Sequence, residues 1–323
     1  MKTSKFLCLG MAALTLAACS NDDESLTNGP VEARISAGVN TPQTRANDAQ
    51  WEQDEIGVMV TNAESSAMKE LYKNVKYTTT ANTETAANFT ATTGQGIFFQ
   101  DANETVTFAA YAPYQGSASN ATLPGTNGVI SGSTYDQSSR EKQKAFDYIY
   151  ASGATASRSN PRVEFKESNA FAHKMTSLLI YVKTSTEDGF TADQVTSGTY
   201  SLSGLKHDGT FDVKSGIAIA NTAGETTDDW SLTDNSLNVG AGETVQVTFH
   251  SILYPQTLGS ALTFKAVIDG KTYTNSTNIN PGLAPGKVYF YSIPVKKTGL
   301  TVSGCTIDSW GIGTDERGEA TMQ

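Results

Sequence analysis

The stretch VEARISAGV, at residues 31–39, decides how this chain folds. Its apolar side chains occupy every second position, and polar or small residues lie between them. Because successive side chains of a strand point to opposite faces, this alternation places all the apolar residues on one face. The stretch therefore predicts a half-buried β-strand whose inward-facing residues are Val31, Ala33, Ile35, Ala37 and Val39.

Runs rich in Val, Ile, Tyr and Phe recur along the rest of the chain, separated by clusters of Gly, Asn and Pro. Two Asp-Gly pairs, Asp208-Gly209 and Asp269-Gly270, predict hairpin turns, because this pair accepts the positive φ angles of a type I′ turn. The best candidate for a helix is the short segment 138–146. These signals predict an all-β chain of antiparallel β-sandwiches. Further strands are predicted near 56–60, 87–92, 105–111, 147–151, 162–165, 245–253 and 288–294.

The start of the chain has the pattern of a bacterial lipoprotein signal. Lys2 and Lys5 precede an apolar stretch of about 13 residues, shorter than the roughly 20 that a membrane-spanning helix needs. The stretch ends in Leu16-Ala17-Ala18-Cys19, whose small residues suit a signal peptidase and whose thiol can take a diacylglycerol. We therefore predict a signal peptide at residues 1–18, lipidation of Cys19 and attachment to a membrane through the lipid. The alternative is an ordinary cleaved signal with an incidental cysteine.

The composition predicts an acidic, exported protein without disulfides. The chain has 323 residues and a formal net charge of −10, which becomes −12 when Lys2 and Lys5 leave with the signal. This charge argues against nucleic acid and anionic head groups as partners. Cys8 also leaves and Cys19 takes the lipid, so Cys305 has no partner for a disulfide or a cysteine-type metal site. The mature chain of 323 − 18 = 305 residues is long enough for two domains.

Signals for catalysis and for metal or cofactor binding are weak. His173, His207 and His250 have no ligand spacing, and the acidic segment Asp22-Asp23-Glu24 lacks the spacing of a calcium loop. No nucleophile elbow is present. We predict that the protein is not an enzyme and uses no cofactor or metal. His173 is expected to be structural, and His207 to be exposed beside its Asp-Gly pair.

A group of tyrosines leaves one binding hypothesis open. These residues can form a platform on which a sugar stacks, although ordinary positions on strand faces explain them better. They are Tyr111, Tyr114, Tyr135, Tyr148 and Tyr150.

The end of the chain predicts two short strands joined by a kink. Leu300 and Val302 share one strand face, whereas Cys305 and Ile307 have the opposite parity. The phase changes at Ser303-Gly304, where a glycine permits a bulge or a bend.

Four segments, taken in order, resemble a known family. The lipobox, Leu16-Ala17-Ala18-Cys19, is followed by acidic residues, and the strand at 31–39 is followed by the junction Thr44-Arg45-Ala46 and then Trp51. The other two segments are FAHKMTSL at 171–178 and LAPGKVYFY at 283–291, which leads to Trp310. In this order the chain resembles the fimbrillins, the pilin and pilin-like lipoproteins of type V pili in Gram-negative anaerobes.

The resemblance implies two transthyretin-like β-sandwiches and assembly by strand exchange. An arginine-specific protease cuts between Arg45 and Ala46, which makes residues 19–45, a tether and the first strand, a propeptide. The emptied groove then takes the terminal strand of a neighbouring subunit. The implied parts are an N-terminal sandwich at 46–170, a C-terminal sandwich at 171–299 and a donor segment at 300–323. The donor residues are Leu300, Val302, Cys305, Ile307 and Trp310.

We therefore predict a structural subunit of a cell-surface fimbria, exported to the outer membrane as a lipoprotein. Its expected partners are other fimbrial subunits, the protease, and the outer membrane through the lipid on Cys19. One alternative is a monomeric surface lipoprotein that binds glycan or host protein. Another is an anchor or tip subunit that keeps its lipid. Cleavage at Arg45 separates the first role from the others.

Overall fold

A computed structural model describes residues 29–39, 51–63, 66–101, 103–184, 189–224, 226–233, 245–277, 282–300 and 303–310. The predicted lipidation site Cys19, the junction Arg45–Ala46 and Val302 lie outside these ranges. For Leu300 and Cys305, only the backbone is described.

Strands account for most of the described secondary structure, and their order confirms the all-β class. In the first half they are β1 (Val31–Glu32), β2 (Arg34–Gly38), β3 (Trp51–Glu52), β4 (Glu55–Asn62), β5 (Val75–Thr78), β6 (Asn82–Glu84), β7 (Ala86–Phe89), β8 (Phe98–Phe99), β9 (Thr105–Ala112), β10 (Val129–Ser133), β11 (Ile149–Ser157), β12 (Arg162–Phe165) and β13 (Ala172–His173).

The strands of the second half are, on average, slightly longer than those of the first half. They are β14 (Thr176–Thr184), β15 (Thr199–Ser203), β16 (Asp208–Asp212), β17 (Ile217–Ala220), β18 (Trp230–Ser231), β19 (Val245–Leu253), β20 (Gln256–Thr257), β21 (Leu262–Ile268), β22 (Lys271–Thr277), β23 (Gly282–Leu283), β24 (Lys287–Lys296), β25 (Gly299–Leu300) and β26 (Ser303–Ser309). The described helices are short: α1 (Ser66–Leu71), α2 (Arg140–Lys144) and α3 (Ala192–Thr196).

Each half of the chain builds one hydrophobic core between two sheets. In the first half a five-stranded sheet, β13-β11-β9-β4-β5, and a three-stranded sheet, β12-β2-β7, both contribute to one buried cluster. In the second half the sheet β19-β14-β24, extended by β25 and β26, and the sheet β18-β15-β21-β22 contribute to another. This is the layered arrangement of β-sandwiches.

A third cluster draws residues from both halves. Val106, Phe108 and Ala110 of β9 belong to the first core, whereas Ala109 and Tyr111 of the same strand belong to this third cluster. Such strands are buried on both faces and carry continuous apolar runs instead of an alternation. The sheet β10-β16-β17 also pairs a strand before residue 171 with strands after it. The division into domains at residue 171 stays a prediction.

Several local predictions are confirmed. The helix predicted at 138–146 is α2, with the Ser139 side chain accepting a hydrogen bond from the Lys142 amide at its N-terminus. The Asp269-Gly270 pair joins β21 to β22, with φ angles of 52° and 71°. The tail bulges at Gly304, because Cys305 pairs with Tyr291 and Ser303 with Ser292.

Two predictions about residues 207–209 are wrong. Asp208 and Gly209 begin β16 and pair with β10, so they form no hairpin turn. Gly209 serves close packing, since a Cβ there would lie 2.5 Å from the ring of Tyr254. His207 is only 4% exposed, because the nonlocal pairing of β16 with β10 covers it.

Candidate functional site

The strand predicted at residues 31–39, here called the first strand, consists of β1, which pairs with β8, and β2, which lies in the middle of a three-stranded sheet. β2 pairs in parallel with β12 on one side and antiparallel with β7 on the other. The residues that flank it are also bonded: the Ala33 amide donates to the Ile97 carbonyl at 2.8 Å, and the Val39 amide donates to the Thr85 carbonyl at 3.2 Å. The first strand therefore fills a slot whose two walls come from later parts of the chain.

The side chains of this segment alternate in burial as the sequence predicts. Ala33, Ile35, Ala37 and Val39 are each at most 8% exposed and join the first core, whereas Arg34 is exposed. Val31 is partly buried against the same core. We call the slot that receives these side chains between β7 and β12 the first-strand groove. Its role in strand exchange stays a prediction.

Trp51 ties the first strand to the body of the protein. Its indole Nε1 donates a hydrogen bond to the Ala37 carbonyl at 3.1 Å, and the side chain is 1% exposed. Its ring packs edge-on against Phe89 of β7, at 4.9 Å between ring centroids, and against Phe171, at 5.2 Å. The acceptor is a main-chain carbonyl, so a different strand with a carbonyl at this position would accept the same hydrogen bond from Trp51. This role is not evident from the sequence, whose one signal is that Trp51 closely follows Arg45.

We expect Trp51→Phe to loosen the first strand selectively. Phenylalanine keeps an aromatic ring but leaves the Ala37 carbonyl without its donor, which costs about 1 kcal/mol and speeds opening of the strand about fivefold. Hydrogen exchange of the amides in residues 31–39 measures this opening. Trp230→Phe is the matched control, because its buried indole donates to the Tyr135 carbonyl instead. Equal acceleration in both variants would contradict a specific role for Trp51.

The terminal strand lies at an edge of the second-half sheet. β26 pairs antiparallel with β24, from Lys287 opposite Ser309 to Ser292 opposite Ser303. Ile307 is 52% exposed, so this large apolar side chain is not buried in the core of its own subunit. β2 and β26 belong to different sheets, and the structure does not bring them together.

Trp310 fastens the end of this strand. Its ring stacks on His173 at 4.0 Å with an interplanar angle of 3°, and its amide donates to the Gly286 carbonyl at 2.6 Å. His173 Nδ1 lies 2.7 Å from Asp147 Oδ1. Asp147 precedes residue 171 and Trp310 follows it, so His173 connects the two halves of the chain.

The proposed tyrosine platform is wrong. Tyr111, Tyr148 and Tyr150 are buried in the third cluster, and only Tyr135 of the five is among the exposed large side chains. Tyr148 stacks on Phe211 at 4.5 Å, and desolvation raises the pKa of the Tyr111 hydroxyl. The rings of Tyr111, Tyr148 and Tyr150 pack inside the protein, because the third cluster buries one face of the sheet β13-β11-β9-β4-β5.

In the part of the chain that the structure describes, no group of three or more His, Cys, Asp or Glu side chains is arranged to hold a metal ion. Among the same residues, no helix combines the length and the apolarity that crossing a membrane requires.

Comparison with known proteins gives a consistent result. A family model described as "Fimbrillin-like" matches residues 44–310. "Putative fimbrium subunit Fim1C" of Bacteroides uniformis is 29% identical over 333 residues, which cover 99% of this chain and 100% of that protein. A "putative cell adhesion protein" from Bacteroides ovatus, solved by crystallography, has a TM-score of 0.71 at 25% identity and covers 88% of this chain and 100% of its own.

A second crystal structure, of a "putative cell adhesion protein" from Bacteroides uniformis, has a TM-score of 0.66 at 24% identity, with coverage of 88% of this chain and 100% of that one. This likeness shows the fold. The family model spans most of the chain, and the sequence resemblance to fimbrillins is confirmed. The chain belongs to the fimbrillin-like family.

Proposed function

We propose that this protein is a structural subunit of a cell-surface fimbria that is exported as a lipoprotein and assembles by strand exchange. The family is one of fimbrial subunits and not of enzymes. The observation that carries the proposal is the first-strand groove: β2 is central in its sheet, yet a single cut between it and Trp51 would leave it held by noncovalent contacts alone.

Release of the first strand would leave the first-strand groove empty, which favours the binding of another strand. β7 and β12 would each lose a row of main-chain partners, and the indole of Trp51 would lose the Ala37 carbonyl. Buried polar groups without partners and an apolar slot open to water are both costly. A strand from another subunit satisfies the main chain through backbone bonds and fills the slot with alternate side chains.

Such a contact propagates because donor and acceptor are different surfaces. A heterologous contact does not close on itself as a twofold dimer does, and it builds filaments. In this proposal the donor is the segment 300–323, and the half-exposed Ile307 is one of the residues that it would bury in a neighbour. The lipid on Cys19 delivers the subunit to the outer membrane and leaves with residues 19–45 after cleavage.

We expect Arg45→Ala to block assembly. In the parent, N-terminal sequencing of the surface form should begin at Ala46, and the subunits should form a ladder of polymers on a gel. In the variant the first strand should stay in its groove, with lipid retained at Cys19 and no ladder. Arg34→Ala is the control: the Arg34 side chain is exposed, but its backbone pairs with Arg162 of β12 within a strand that lies between β12 and β7, which protects it from a protease. A variant that polymerises as readily as the parent would rule out this cleavage step.

N-terminal sequencing, combined with the location of the protein in filaments, distinguishes the other roles. A parent protein that keeps a lipidated Cys19 on the cell surface and is found at one end of a filament is an anchor. One that keeps the lipid and is never found in filaments is a monomeric lipoprotein.

A further inference from the structure

A small polar cleft is lined by neither strand of the proposed exchange. Its volume is about 240 Å³, and it opens where β10 ends and β16 begins, beside the chain that leads to β18. All its described lining residues fall between Ser133 and Thr227 in the chain, so none belongs to β2 or β26. Its lining includes Ser133, Tyr135, Lys206, His207, Asp208 and Thr227.

His207 is the buried polar group of this cleft. Its ring lies edge-on to Tyr135 at 5.3 Å and packs on Trp230 at 4.5 Å. Nδ1 lies 3.3 Å from the Thr134 hydroxyl, whereas Nε2 has no hydrogen-bond partner among the described residues although the side chain is only 4% exposed. A buried polar atom left without a partner costs about 1–3 kcal/mol, so a ligand that bonded to it would recover that cost.

The imidazole is neutral at physiological pH. Burial lowers the pKa of His207 to about 4, an effect that a hydrogen bond with the Thr134 backbone and the charge of Asp208 only partly oppose. One ring nitrogen of a neutral imidazole donates and the other accepts, so the ring can bond to a hydroxyl in either sense.

The rest of the lining combines groups that suit a hydroxyl-rich ring. Asp208 supplies an acceptor, Lys206 a donor, and the hydroxyls of Ser133 and Thr227 serve as either. Tyr135 is 55% exposed and offers an aromatic edge or face to the C–H groups of a ligand. The cleft is smaller than the roughly 300–1,000 Å³ of drug-sized sites, which limits the occupant to one ring. The net charge of −10 disfavours an anion.

We propose that this cleft binds a single neutral monosaccharide unit, with Tyr135 against its ring and His207 and Asp208 bonded to its hydroxyls. This activity goes beyond assembly: a subunit that carries it attaches to glycans whether or not it polymerises. The site was not visible from sequence, since β10 and β16 are distant in the chain and only their pairing brings Tyr135 close to His207.

The test uses the full chain with its first strand in place, so that strand exchange plays no part. Methyl glycosides of glucose, galactose, mannose and N-acetylglucosamine are titrated separately, and binding is followed by calorimetry and by the ¹⁵N shift of His207 Nε2. We expect at least one glycoside to bind with Kd near about 1 mM and to move that resonance. Tyr135→Ala and Asp208→Asn should each weaken binding about tenfold or more, which corresponds to about 1.4 kcal/mol.

The variants leave the fold intact. The Tyr135 main-chain carbonyl still accepts from the Trp230 indole after truncation to alanine, and Asp208 is exposed. Tyr114→Ala is the matched control, because this tyrosine lies beside Lys76, outside the cleft. Absence of binding by all the glycosides, or binding that survives both cleft variants unchanged, would overturn the proposal. Neither outcome bears on cleavage at Arg45 or on polymerisation.

Discussion

A chain that begins at Ala46 should lose most of its thermal stability and recover it when the peptide VEARISAGV, residues 31–39, is added in trans. Ile35 and Val39 are at least 92% buried, and burying such side chains contributes about 1.5–3 kcal/mol each. Ala33 and Ala37 add about 1 kcal/mol each, before the backbone bonds to β7 and β12 are counted. The sum is comparable with the roughly 5–15 kcal/mol that holds a typical domain folded.

The comparison of two altered peptides makes this test specific to the first-strand groove. A peptide with Ile35→Asp places a carboxylate on the buried face and should fail to restore the melting temperature. A peptide with Arg34→Asp carries the larger change of charge, but on the exposed face, and should restore it as the parent peptide does. Differential scanning fluorimetry across a peptide titration gives both results. A shortened chain that melts as the parent does, or rescue by the Ile35→Asp peptide, would show that the groove does not need its strand.

The strands that face water on one side could be predicted from the sequence. The alternation at residues 31–39 needs one buried and one exposed face, and the burial of Ile35 and the exposure of Arg34 follow directly from it. The Asp269-Gly270 hairpin is equally local, because the turn and both strands are contiguous. Patterns within about 20 residues sufficed for these elements.

Features that depend on distant pairing could not be predicted in this way. Asp208-Gly209 has the composition of a turn, but its partner is β10, some 75 residues earlier, and the glycine makes room for Tyr254. The same pairing buries His207, whose neighbours in the sequence suggested exposure. The third cluster buries Tyr111 and Tyr148 because three sheets, with strands from both halves of the chain, contribute to it. For the groove, the sequence indicated the strand but not Trp51, whose bond to Ala37 depends on the sheet in which both residues lie.

Ile307→Asp should leave the monomer as stable as the parent and reduce polymerisation more than about 100-fold. In the isolated chain Ile307 is 52% exposed on an edge strand, so a carboxylate there stays hydrated and should change stability by no more than about 0.5 kcal/mol. In a neighbour's first-strand groove the same side chain would take the place of a residue such as Ile35, which is 2% exposed. Burying an uncompensated carboxylate there costs several kcal/mol, and about 2.8 kcal/mol already corresponds to 100-fold.

Ile219→Asp is the matched control for this variant. Ile219 is an exposed isoleucine, at 47%, on β17 at the edge of the sheet β10-β16-β17, and the substitution adds the same charge to the same acidic protein. Long-range repulsion between subunits therefore changes equally in both variants. Polymer yield after cleavage, measured by sedimentation alongside the melting temperature of each monomer, separates loss of donor function from loss of fold.

The outcome distinguishes a donor strand from an ordinary edge strand. If β26 is only the last strand of its own sheet, the two aspartate variants should polymerise alike, because each has one exposed apolar residue replaced at a sheet edge. If β26 leaves β24 to fill a neighbour's groove, only Ile307→Asp should fail, since Ile219 does not enter the groove. The bond between the Trp310 amide and the Gly286 carbonyl and the stack on His173 would then have to break during assembly.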